Sequence, residues 1–410
     1  VGLGNLWRFP YLAAKYGGGI FLFVYIILAI TFGFTLMVTE IAIGRKTGLS
    51  CISAYKKLDK RFGFMGWLSA LVPVIITPYY CVIGGWVIRY FAEFVSGHGK
   101  DLATSSADFF SNFIGMKGGI VDNPMLWFII FVALTSAVVI FGVEKGIEKV
   151  SKVMMPILVI LCVVIAVFAL TIDGALAGLK YYLLPDFSKF SSATVLGALG
   201  QLFYSISVAM GIMIAYGSYV KKESKLMGSI NQIEIFDTLV AFLAGLMIIP
   251  AVYVFMGRDG MSAGPGLMFI SLPKVFNEMG IAGDIVGLIF FMIVAFAAVT
   301  SSVSIMEAIV SSLIDRFHWS RRKSAILVTV YGLIAEIIVC LGYNKLYMEV
   351  KLPNGTVGQI LDIMDYVSNN VLMPIVALAT CILVGWIVSP KVIICLLYTS
   401  PSPRDGATSR

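Results

Sequence analysis

The residues that could do chemistry begin in the first ten positions, V-G-L-G-N-L-W-R-F-P, of an otherwise strongly apolar chain. Gly2 and Gly4 flank a leucine, Asn5 follows, and Pro10 closes the run. Inside a helix, glycine costs about 1 kcal/mol and proline about 3 kcal/mol relative to alanine. Within a bilayer, backbone without helical partners is tolerated only where it lines a cavity or lies buried in protein. The segment therefore predicts a place where backbone groups bind a ligand.

A second interrupted segment, G-Q-L-F-Y-S-I-S-V-A-M-G at 200–211, lies halfway along the chain. Its serines and glycines interrupt an apolar span. Such small residues also serve as packing residues in membrane helices, so the segment is ambiguous when taken alone. The two segments, however, open two successive sets of apolar spans, which end near 172 and 389. Interrupted helices in corresponding positions of two halves indicate a secondary transporter with inverted repeats.

Composition and hydropathy predict the elements that position these residues. Of the 410 residues, 59% are hydrophobic and 13% are charged, whereas about 25% are charged in a typical soluble domain. Crossing the hydrocarbon core takes roughly 20 apolar residues. Stretches of this kind, one of which contains Glu336 and the rest no charge, lie at 16–39, 62–88, 123–143, 153–172, 190–220, 238–257, 285–306, 324–344 and 366–390. With the opening segment as a truncated first helix, the sequence predicts an all-α membrane protein of about ten transmembrane helices.

The distribution of lysine and arginine predicts the orientation in the membrane. Cations concentrate in every second loop, at 45–61, 145–152, 221–225 and 316–323. The alternate loops are poorer in cations and contain several aspartates. Because cytoplasmic loops carry the excess of Lys and Arg, we expect a multi-pass protein of the cell membrane whose N-terminal side is cytoplasmic. The net charge of +7 reflects this bias and does not indicate nucleic-acid binding.

Several classes of function have no support in the sequence. The six cysteines are scattered singly, and the two histidines, His98 and His318, fall in predicted loops, so neither a disulfide framework nor a metal site is indicated. There is no phosphate-binding loop, dinucleotide fingerprint or catalytic triad, and we expect no enzyme activity. The segment 392–410 is polar and lacks a helical period, which favours a disordered or non-native tail.

Three motifs carry a resemblance to a known family. The opening run through Tyr11, the glycines at 17–19 and E-I-A-I-G-R at 40–45 closely resemble the neurotransmitter:sodium symporters, above all their bacterial amino-acid branch. The resemblance covers residues 1–388 and implies one transporter domain. That domain would have the 5+5 inverted-repeat fold, with repeats at 1–172 and 190–389 and with helices 1 and 6 unwound. It also implies sodium-coupled symport of amino acids by alternating access.

The resemblance implies a substrate site between the two unwound helices. Backbone amides of Leu3 and Gly4 would hold the substrate carboxylate, because free N–H groups at a helix start favour anions. Monoamine transporters of the family carry an aspartate where this chain has Gly2, so the substrate should be an α-amino acid. The residues Ile76, Met210 and Ile305 favour an apolar or aromatic side chain on it. The other residues that the resemblance assigns to this site are Ile76, Tyr80, Tyr204, Ser205, Ser207, Met210, Ser301 and Ile305.

The resemblance further implies two sodium sites. The first would use Asn5, Ser205 and Asp237, and the second would use Val1, Ala297, Thr300 and Ser301. Asp237 stands where the family usually has asparagine, and an ionisable residue within a membrane span is a functional candidate by default. Its carboxylate would replace the chloride used by animal members, so we expect chloride not to be required. A carboxyl merely solvated at the cytoplasmic mouth is the alternative interpretation.

The gates and the rival functions complete the prediction. Arg8 and Asp365 match the extracellular gate, Tyr219 and Asp315 match members of the cytoplasmic gate, and Glu40 matches a buried glutamate that braces the unwound segments. Two other functions stay open: a proton-coupled amino-acid transporter with Asp237 as its protonation site, and a membrane receptor that binds an amino acid without transporting it. The sequence does not specify the amino acid or the oligomeric state.

Overall fold

The computed structural model describes residues 2–141, 144–220, 226–262, 264–354 and 357–388; Val1 and the predicted tail at 392–410 lie outside the described residues. The described chain is built almost entirely of helices. The α-helices are α1 (Phe9–Lys15), α2 (Gly19–Leu28), α3 (Phe34–Thr47), α4 (Cys51–Leu58), α5 (Gly63–Val95), α6 (Gly99–Thr104), α7 (Ser106–Ile114), α8 (Pro124–Phe141), α9 (Glu144–Thr171), α10 (Ala175–Leu183), α11 (Ser192–Ser205), α12 (Ile212–Tyr219), α13 (Leu226–Met256), α14 (Leu267–Glu278), α15 (Ile281–Phe317), α16 (Arg321–Leu341), α17 (Ile360–Tyr366) and α18 (Met373–Ile382).

Shorter elements extend or connect these helices. Wider π-helical turns occur at Gly4–Arg8, Ala29–Gly33, Val367–Leu372 and Leu383–Val388. Single 3₁₀ turns occur at Lys60–Phe62, Ile120–Asp122, Phe187–Lys189, Asp259–Ser262 and Gly264–Gly266. A small antiparallel hairpin joins β1 (Val350–Lys351) to β2 (Val357–Gly358), with Val350 opposite Gly358.

The predicted membrane spans correspond to helices of sufficient length. Within the described residues, 8 helical stretches are long and apolar enough to cross a membrane: Gly19–Thr47, Lys60–Val95, Pro124–Phe141, Ser151–Thr171, Met227–Met256, Ile281–Phe317, Arg321–Leu341 and Ile360–Val388. The predicted span 190–220 is instead divided between α11 and α12. Neither piece is long enough to cross alone, so this span is a broken helix, as its serines and glycines predict.

The long helix α5, which forms one wall of the cavity described below, contains Pro73 and Pro78. Pro78 has no N–H to donate to the carbonyl of Val74, one turn earlier. The hydroxyl of Tyr331 on α16 donates to that carbonyl instead, at 2.9 Å. Freed carbonyls in membrane helices need such a partner. The contact joins α16 to α5 at Val74, five residues before Tyr79, which with Tyr80 lies buried in the core.

Helix α12 lies directly against α3 because two glycines remove the side chains between them. A Cβ atom on Gly44 of α3 would collide with the carbonyl oxygen of Ile214, and one on Gly217 of α12 would collide with the carbonyl oxygen of Ile41. Small residues permit this close backbone approach in membrane proteins. The backbone of α12 therefore packs directly on that of α3 at Ile214 and Gly217.

Candidate functional site

The break in the sixth span has a defined geometry. Helix α11 ends at Ser205 and α12 begins at Ile212, and between them Ser207 and Ala209 have φ angles of 58° and 60°. For residues other than glycine, this left-handed conformation costs roughly 1–2 kcal/mol each. The buried carboxylate of Glu40 on α3 accepts a hydrogen bond of 2.7 Å from the Ala209 amide. This contact corresponds to the bracing role that the resemblance implies for Glu40.

The first described helix begins with backbone amides that do not take part in its helical hydrogen bonds. The first helical hydrogen bonds run from the amides of Asn5 and Leu6 to the carbonyl of Gly2, at 3.2 and 3.4 Å. The amides of Leu3 and Gly4 precede these bonds, and the Gly2 amide donates to the Asn5 side chain at 3.0 Å. A helix start with such amides carries a partial positive charge.

A cavity of about 250 Å³ lies between the two broken helices and the helices α5 and α15. Most of the predicted substrate residues line it: Gly4, Tyr80, Tyr204, Ser205, Ser207, Met210, Ser301 and Ile305. Gly2, Asn5, Thr300 and Ser304 complete the lining. Leu3 and Ile76 are buried nearby but do not belong to the cavity wall within the described residues.

Two tyrosine hydroxyls are unsatisfied at this cavity. The hydroxyls of Tyr80 and Tyr204 are buried and form no hydrogen bond with any described residue. That of Tyr80 lies beside the Leu3 amide and the Ser301 hydroxyl without reaching normal hydrogen-bond geometry with either. Buried polar atoms without a partner are rare in native structures. Their position in a cavity wall fits a polar ligand that completes the site.

Gly2 fits this wall only because it has no side chain. A Cβ atom at this position would collide with the Ser301 hydroxyl and lie 3.5 Å from the Tyr80 hydroxyl. An aspartate at this position is therefore incompatible with the arrangement seen here. The cavity has no side-chain carboxylate in its lining, which fits a ligand that brings its own.

Next to the cavity, Asp237 of α13 joins the two broken helices. The side-chain nitrogen of Asn5, Nδ2, donates to the Asp237 carboxylate at 2.8 Å, to the Asp237 carbonyl at 3.0 Å and to the Ser205 hydroxyl at 2.9 Å. Ser205 in turn donates to the carboxylate at 2.6 Å, and Tyr25 does so at 3.4 Å. Asp237 is only 2% exposed, so the interpretation as a solvated residue at the cytoplasmic mouth is wrong. Carboxylate and hydroxyl oxygens are ligands that suit hard cations, whereas the Asn5 side chain turns its nitrogen to this cluster and its oxygen to the Gly2 amide.

The predicted second sodium residues lie across the cavity on α15. The Thr300 hydroxyl donates to the Ala297 carbonyl at 2.9 Å, and the Ser304 hydroxyl donates to the Thr300 carbonyl at 3.2 Å. Thr300 and Ser301 line the cavity. Val1, the remaining predicted ligand, lies outside the described residues. The described part of this group offers neutral oxygen atoms on one helix.

The predicted extracellular gate is a closed, buried ion pair. Arg8 donates to both carboxylate oxygens of Asp365, at 2.8 and 3.0 Å, and the residues are 1% and 8% exposed. Asn369 also donates to Asp365 at 2.8 Å. The Arg8 guanidinium lies 5.3 Å from the ring centroid of Tyr204. A further cavity of about 310 Å³, lined in part by Arg8, Lys15 and Asp365, lies beside this pair.

The two residues predicted for the cytoplasmic gate have separate partners. The Tyr219 hydroxyl donates to Glu307 at 3.2 Å, whereas Asp315 accepts from the Ser50 amide at 2.6 Å. Glu307 also accepts two hydrogen bonds from Arg321, at 3.0 and 2.6 Å. Tyr219 is thus joined to α15 and α16 through Glu307, a contact that the sequence interpretation missed.

Sequence reasoning also missed two residues of the cavity and its outer gate. Gln201 accepts from Arg8 at 2.9 Å and donates to the Gly4 carbonyl at 2.8 Å; it is the one side-chain amide in the apolar helix α11, a signal that could have identified it. Ser304 lies one turn beyond Thr300 and Ser301 on α15, so helical periodicity places it on the same face. The Tyr216 hydroxyl donates to Ser304.

The broken helix α11–α12 and the start of the first helix enclose a buried polar cavity in a chain with several membrane-spanning helices, an arrangement typical of secondary transporters. The family model described as "Sodium:neurotransmitter symporter family" matches residues 1–99 and 97–394. The chain belongs to this family. It is therefore a sodium-dependent transporter and not an enzyme.

Relatives and a solved structure agree with this membership. The chain is 35% identical over 383 residues to the uncharacterized sodium-dependent transporter YhdH of Bacillus subtilis, covering 91% of this chain and 81% of that one. It is 34% identical over 401 residues to an uncharacterized sodium-dependent transporter of Methanocaldococcus jannaschii, covering 94% and 78%. The structure of MhsT in complex with L-phenylalanine superposes with a TM-score of 0.90 at 32% identity, covering 98% of this chain and 90% of that chain. The expected transporter fold is thus confirmed.

Proposed function

We propose that this protein is a sodium-coupled symporter of α-amino acids with apolar or aromatic side chains. It works by alternating access in the cell membrane, with its N-terminal side cytoplasmic. The observation that carries the proposal is that Gly4 and Asn5 are adjacent in one half-helix. Gly4 lines the same cavity as the unsatisfied Tyr80 hydroxyl, and the Asn5 side chain is hydrogen-bonded to the carboxylate of Asp237.

The carboxylate of the substrate is held at the start of the first helix. The amides of Leu3 and Gly4 and the hydroxyl of Tyr80 donate to it, which supplies the partner that the buried hydroxyl lacks. Preorganised donors at a helix start bind anions without further rearrangement. Ser207 lies at the same cavity and receives the substrate amine.

The side chain of the substrate contacts the apolar part of the wall. Met210 and Ile305 line the cavity, and a flexible methionine adapts to side chains of different shape. Tyr204 covers the substrate from the side of Arg8. The relative MhsT was solved with L-phenylalanine bound, and an aromatic amino acid is the first substrate to test here.

Sodium binds at two places. Asn5, Ser205 and the carboxylate of Asp237 provide the first site, where the substrate carboxylate adds a ligand. Because ion and substrate share this site, each raises the affinity for the other, and the coupling is reciprocal. The fixed charge of Asp237 makes chloride unnecessary. The Ala297 carbonyl with Thr300 and Ser301 provides the second site, together with Val1.

The gates act on the two sides of the cavity. The Arg8–Asp365 pair closes the extracellular side, which its burial and its two short hydrogen bonds support. On the cytoplasmic side, Tyr219 and its partner Glu307 hold α12 against α15 and α16, and Asp315 contributes through its contact with Ser50. Rocking of the broken helices against the remaining helices exposes the cavity to each side in turn.

The experiment is uptake of labelled L-phenylalanine, L-leucine and glycine into proteoliposomes, with Na⁺ or K⁺ outside and with chloride or gluconate. We expect saturable uptake of L-phenylalanine in Na⁺ only, equal in both anions. Asp237→Asn should raise the Na⁺ concentration for half-maximal uptake at least about tenfold, since it removes a charge that is worth more than about 1.4 kcal/mol to a nearby cation. Asp186→Asn, an exposed residue of a loop, is the matched control.

Each other outcome identifies a rival. Equal uptake in Na⁺ and K⁺ that depends on a pH gradient would indicate that transport is coupled to protons and not to sodium. Saturable binding of an amino acid without uptake would favour a membrane receptor that binds its ligand without transporting it. Uptake that requires chloride in the wild type would overturn the role given to Asp237.

A further inference from the structure

Glu336 is a buried carboxyl that the proposed transport mechanism does not use. It lies in the middle of α16, is 0% exposed, and neither of its carboxylate oxygens has a hydrogen-bond partner among the described residues. It is also the single acidic residue within the predicted span 324–344. Ionisable residues inside membrane spans are rare, and they are functional candidates by default.

The surroundings of Glu336 are apolar. Gly332, one turn earlier on α16, makes room for the carboxyl: a Cβ atom there would lie 3.2 Å from the Glu336 Oε1 atom. The same Cβ atom would lie 3.9 Å from the methyl group of Thr77 on α5. The Thr77 hydroxyl is already used, because it donates to the Pro73 carbonyl at 2.7 Å. The Gly332 side of the carboxyl is therefore free of any side chain, and the next group beyond it on α5 is a methyl group.

The titratable groups near Glu336 are neutral in their ordinary forms. On α5 the neighbour is the thiol of Cys81, and on α16 itself they are Cys340 and Tyr331. Helix α8 has no titratable residue between 124 and 141, and α15 has none between 285 and 306. On α17, Asp365 is paired with Arg8 and Asp362 accepts from the Gln359 amide. None of these described groups supplies a positive charge to an ionised Glu336.

This environment distinguishes a proton from a metal ion. A hard cation such as Na⁺ needs several oxygen ligands, whereas the nearest titratable side chains offer the thiols of Cys81 and Cys340 and a Tyr331 hydroxyl already bonded to the Val74 carbonyl. A carboxylate without a counter-charge is not tolerated in an apolar interior, and such a group becomes neutral instead. We propose that Glu336 is a proton-binding site that must hold its proton for the arrangement of α5, α15 and α16 seen here.

The site lies directly behind the cavity wall. Cys81 follows Tyr80 on α5, and Ser302 follows Ser301 on α15. The Cys81 thiol and the Ser302 hydroxyl are in contact at 3.6 Å, so Glu336 stands against the junction of the two helices that carry the cavity residues. Loss of the proton places an unpaired charge at this junction. Transport should therefore decline at alkaline pH as Glu336 ionises.

Infrared difference spectroscopy of the purified full chain tests the proton directly and needs no substrate. We expect a carboxylic-acid C=O band near neutral pH that disappears on alkalinisation and is absent in Glu336→Gln. In Cys81→Ser the band should shift in frequency, because the thiol beside the carboxyl is replaced by a hydroxyl, a stronger donor that can form the hydrogen bond the carboxyl lacks. The shift serves as an independent test if Glu336→Gln does not fold. Absence of any band that responds to these substitutions would overturn the proposal.

Sodium-dependent uptake as a function of pH tests the consequence. Above the titration point of Glu336, the active fraction should fall about tenfold per pH unit in the wild type. Glu336→Gln is permanently neutral and should retain uptake without this alkaline decline, whereas the exposed Glu278→Gln should behave as the wild type. The same decline in Glu336→Gln would overturn the proposal. This readout rests on the proposed transport activity, but the infrared band does not, so failure of one is distinguishable from failure of the other.

Discussion

Removing one charge of the extracellular gate should open the cavity to the outside. In Asp365→Asn, one carboxylate oxygen becomes an NH₂ group. If that group replaces Oδ1, it faces the donors of Arg8 Nε and Asn369; if it replaces Oδ2, it faces Arg8 Nη2 and Tyr11. In either orientation the new NH₂ group faces two hydrogen-bond donors and cannot accept from them. The guanidinium of Arg8, which is 1% exposed, also loses its counter-charge.

The magnitude follows from the burial of the pair. Removing one partner of a buried ion pair costs about 3–5 kcal/mol, and the asparagine retains one acceptor, so we take about 3 kcal/mol. Because about 1.4 kcal/mol corresponds to a factor of ten, the equilibrium between outward-closed and outward-open forms should shift by about 100-fold. The cost falls on the closed form alone, since an open gate leaves Arg8 in water.

The assay measures access to the cavity from outside. A reporter cysteine at Ile305, which lines the cavity on α15, is labelled with a membrane-impermeant thiol reagent in Na⁺. Labelling of Ile305→Cys should be slow and should become faster by up to about 100-fold when combined with Asp365→Asn. Combination with Asp186→Asn, in an exposed loop, should change nothing.

Two results would refute the reasoning. Equal labelling rates with and without Asp365→Asn would show that the ion pair does not close the cavity. Faster labelling at the fully buried Cys162 as well as at the reporter would show unfolding and not gating. Phenylalanine uptake should be lost or strongly slowed in Asp365→Asn, because a transporter that cannot close its outer side cannot complete the cycle.

Two more perturbations test the cytoplasmic side and the seat of α12. Glu307→Gln weakens the hydrogen bonds from Arg321 and Tyr219. Since the Arg321 side chain is 37% exposed, the loss is about 1 kcal/mol. Labelling of Ile305→Cys from the inside should therefore become about fivefold faster, and an unchanged rate would exclude a gating role for Glu307. Gly44→Ala pushes a methyl group onto the Ile214 carbonyl at a cost of about 1–3 kcal/mol and should lower the melting temperature. In Gly228→Ala the new methyl group meets no atom of another element within 4 Å, so the melting temperature should not fall. A melting temperature of Gly44→Ala equal to that of Gly228→Ala would contradict the packing argument.

The spans and the broken helix could be predicted from sequence because the bilayer limits the solutions. A chain that crosses hydrocarbon must satisfy its backbone within a helix, so apolar length alone identifies most spans. The break at Ser205–Ile212 follows from serines and glycines in an apolar span. Its detailed shape does not, because the left-handed Ser207 and Ala209 depend on Glu40 from another helix. The division into repeats at 1–172 and 190–389 stays a prediction.

Partner choice was harder to predict than position. The resemblance placed Tyr219 and Asp315 at the cytoplasmic gate, yet the structure pairs Tyr219 with Glu307 and leaves Asp315 on a backbone amide. Which pair forms depends on the packing of α12 against α15 and α16, and no local pattern in the sequence contains that information.

The proposed gate and the proposed substrate site are linked by a chain of hydrogen bonds through one residue. Gln201 donates to the Gly4 carbonyl and accepts from Arg8, which binds Asp365. A displacement of the Gly4 backbone by a bound carboxylate therefore acts on the position of the Arg8 guanidinium through two direct contacts. Physical coupling between sites needs such an element, one whose arrangement both sites bias. Closure of the extracellular side and occupation of the cavity are thus expected to favour each other.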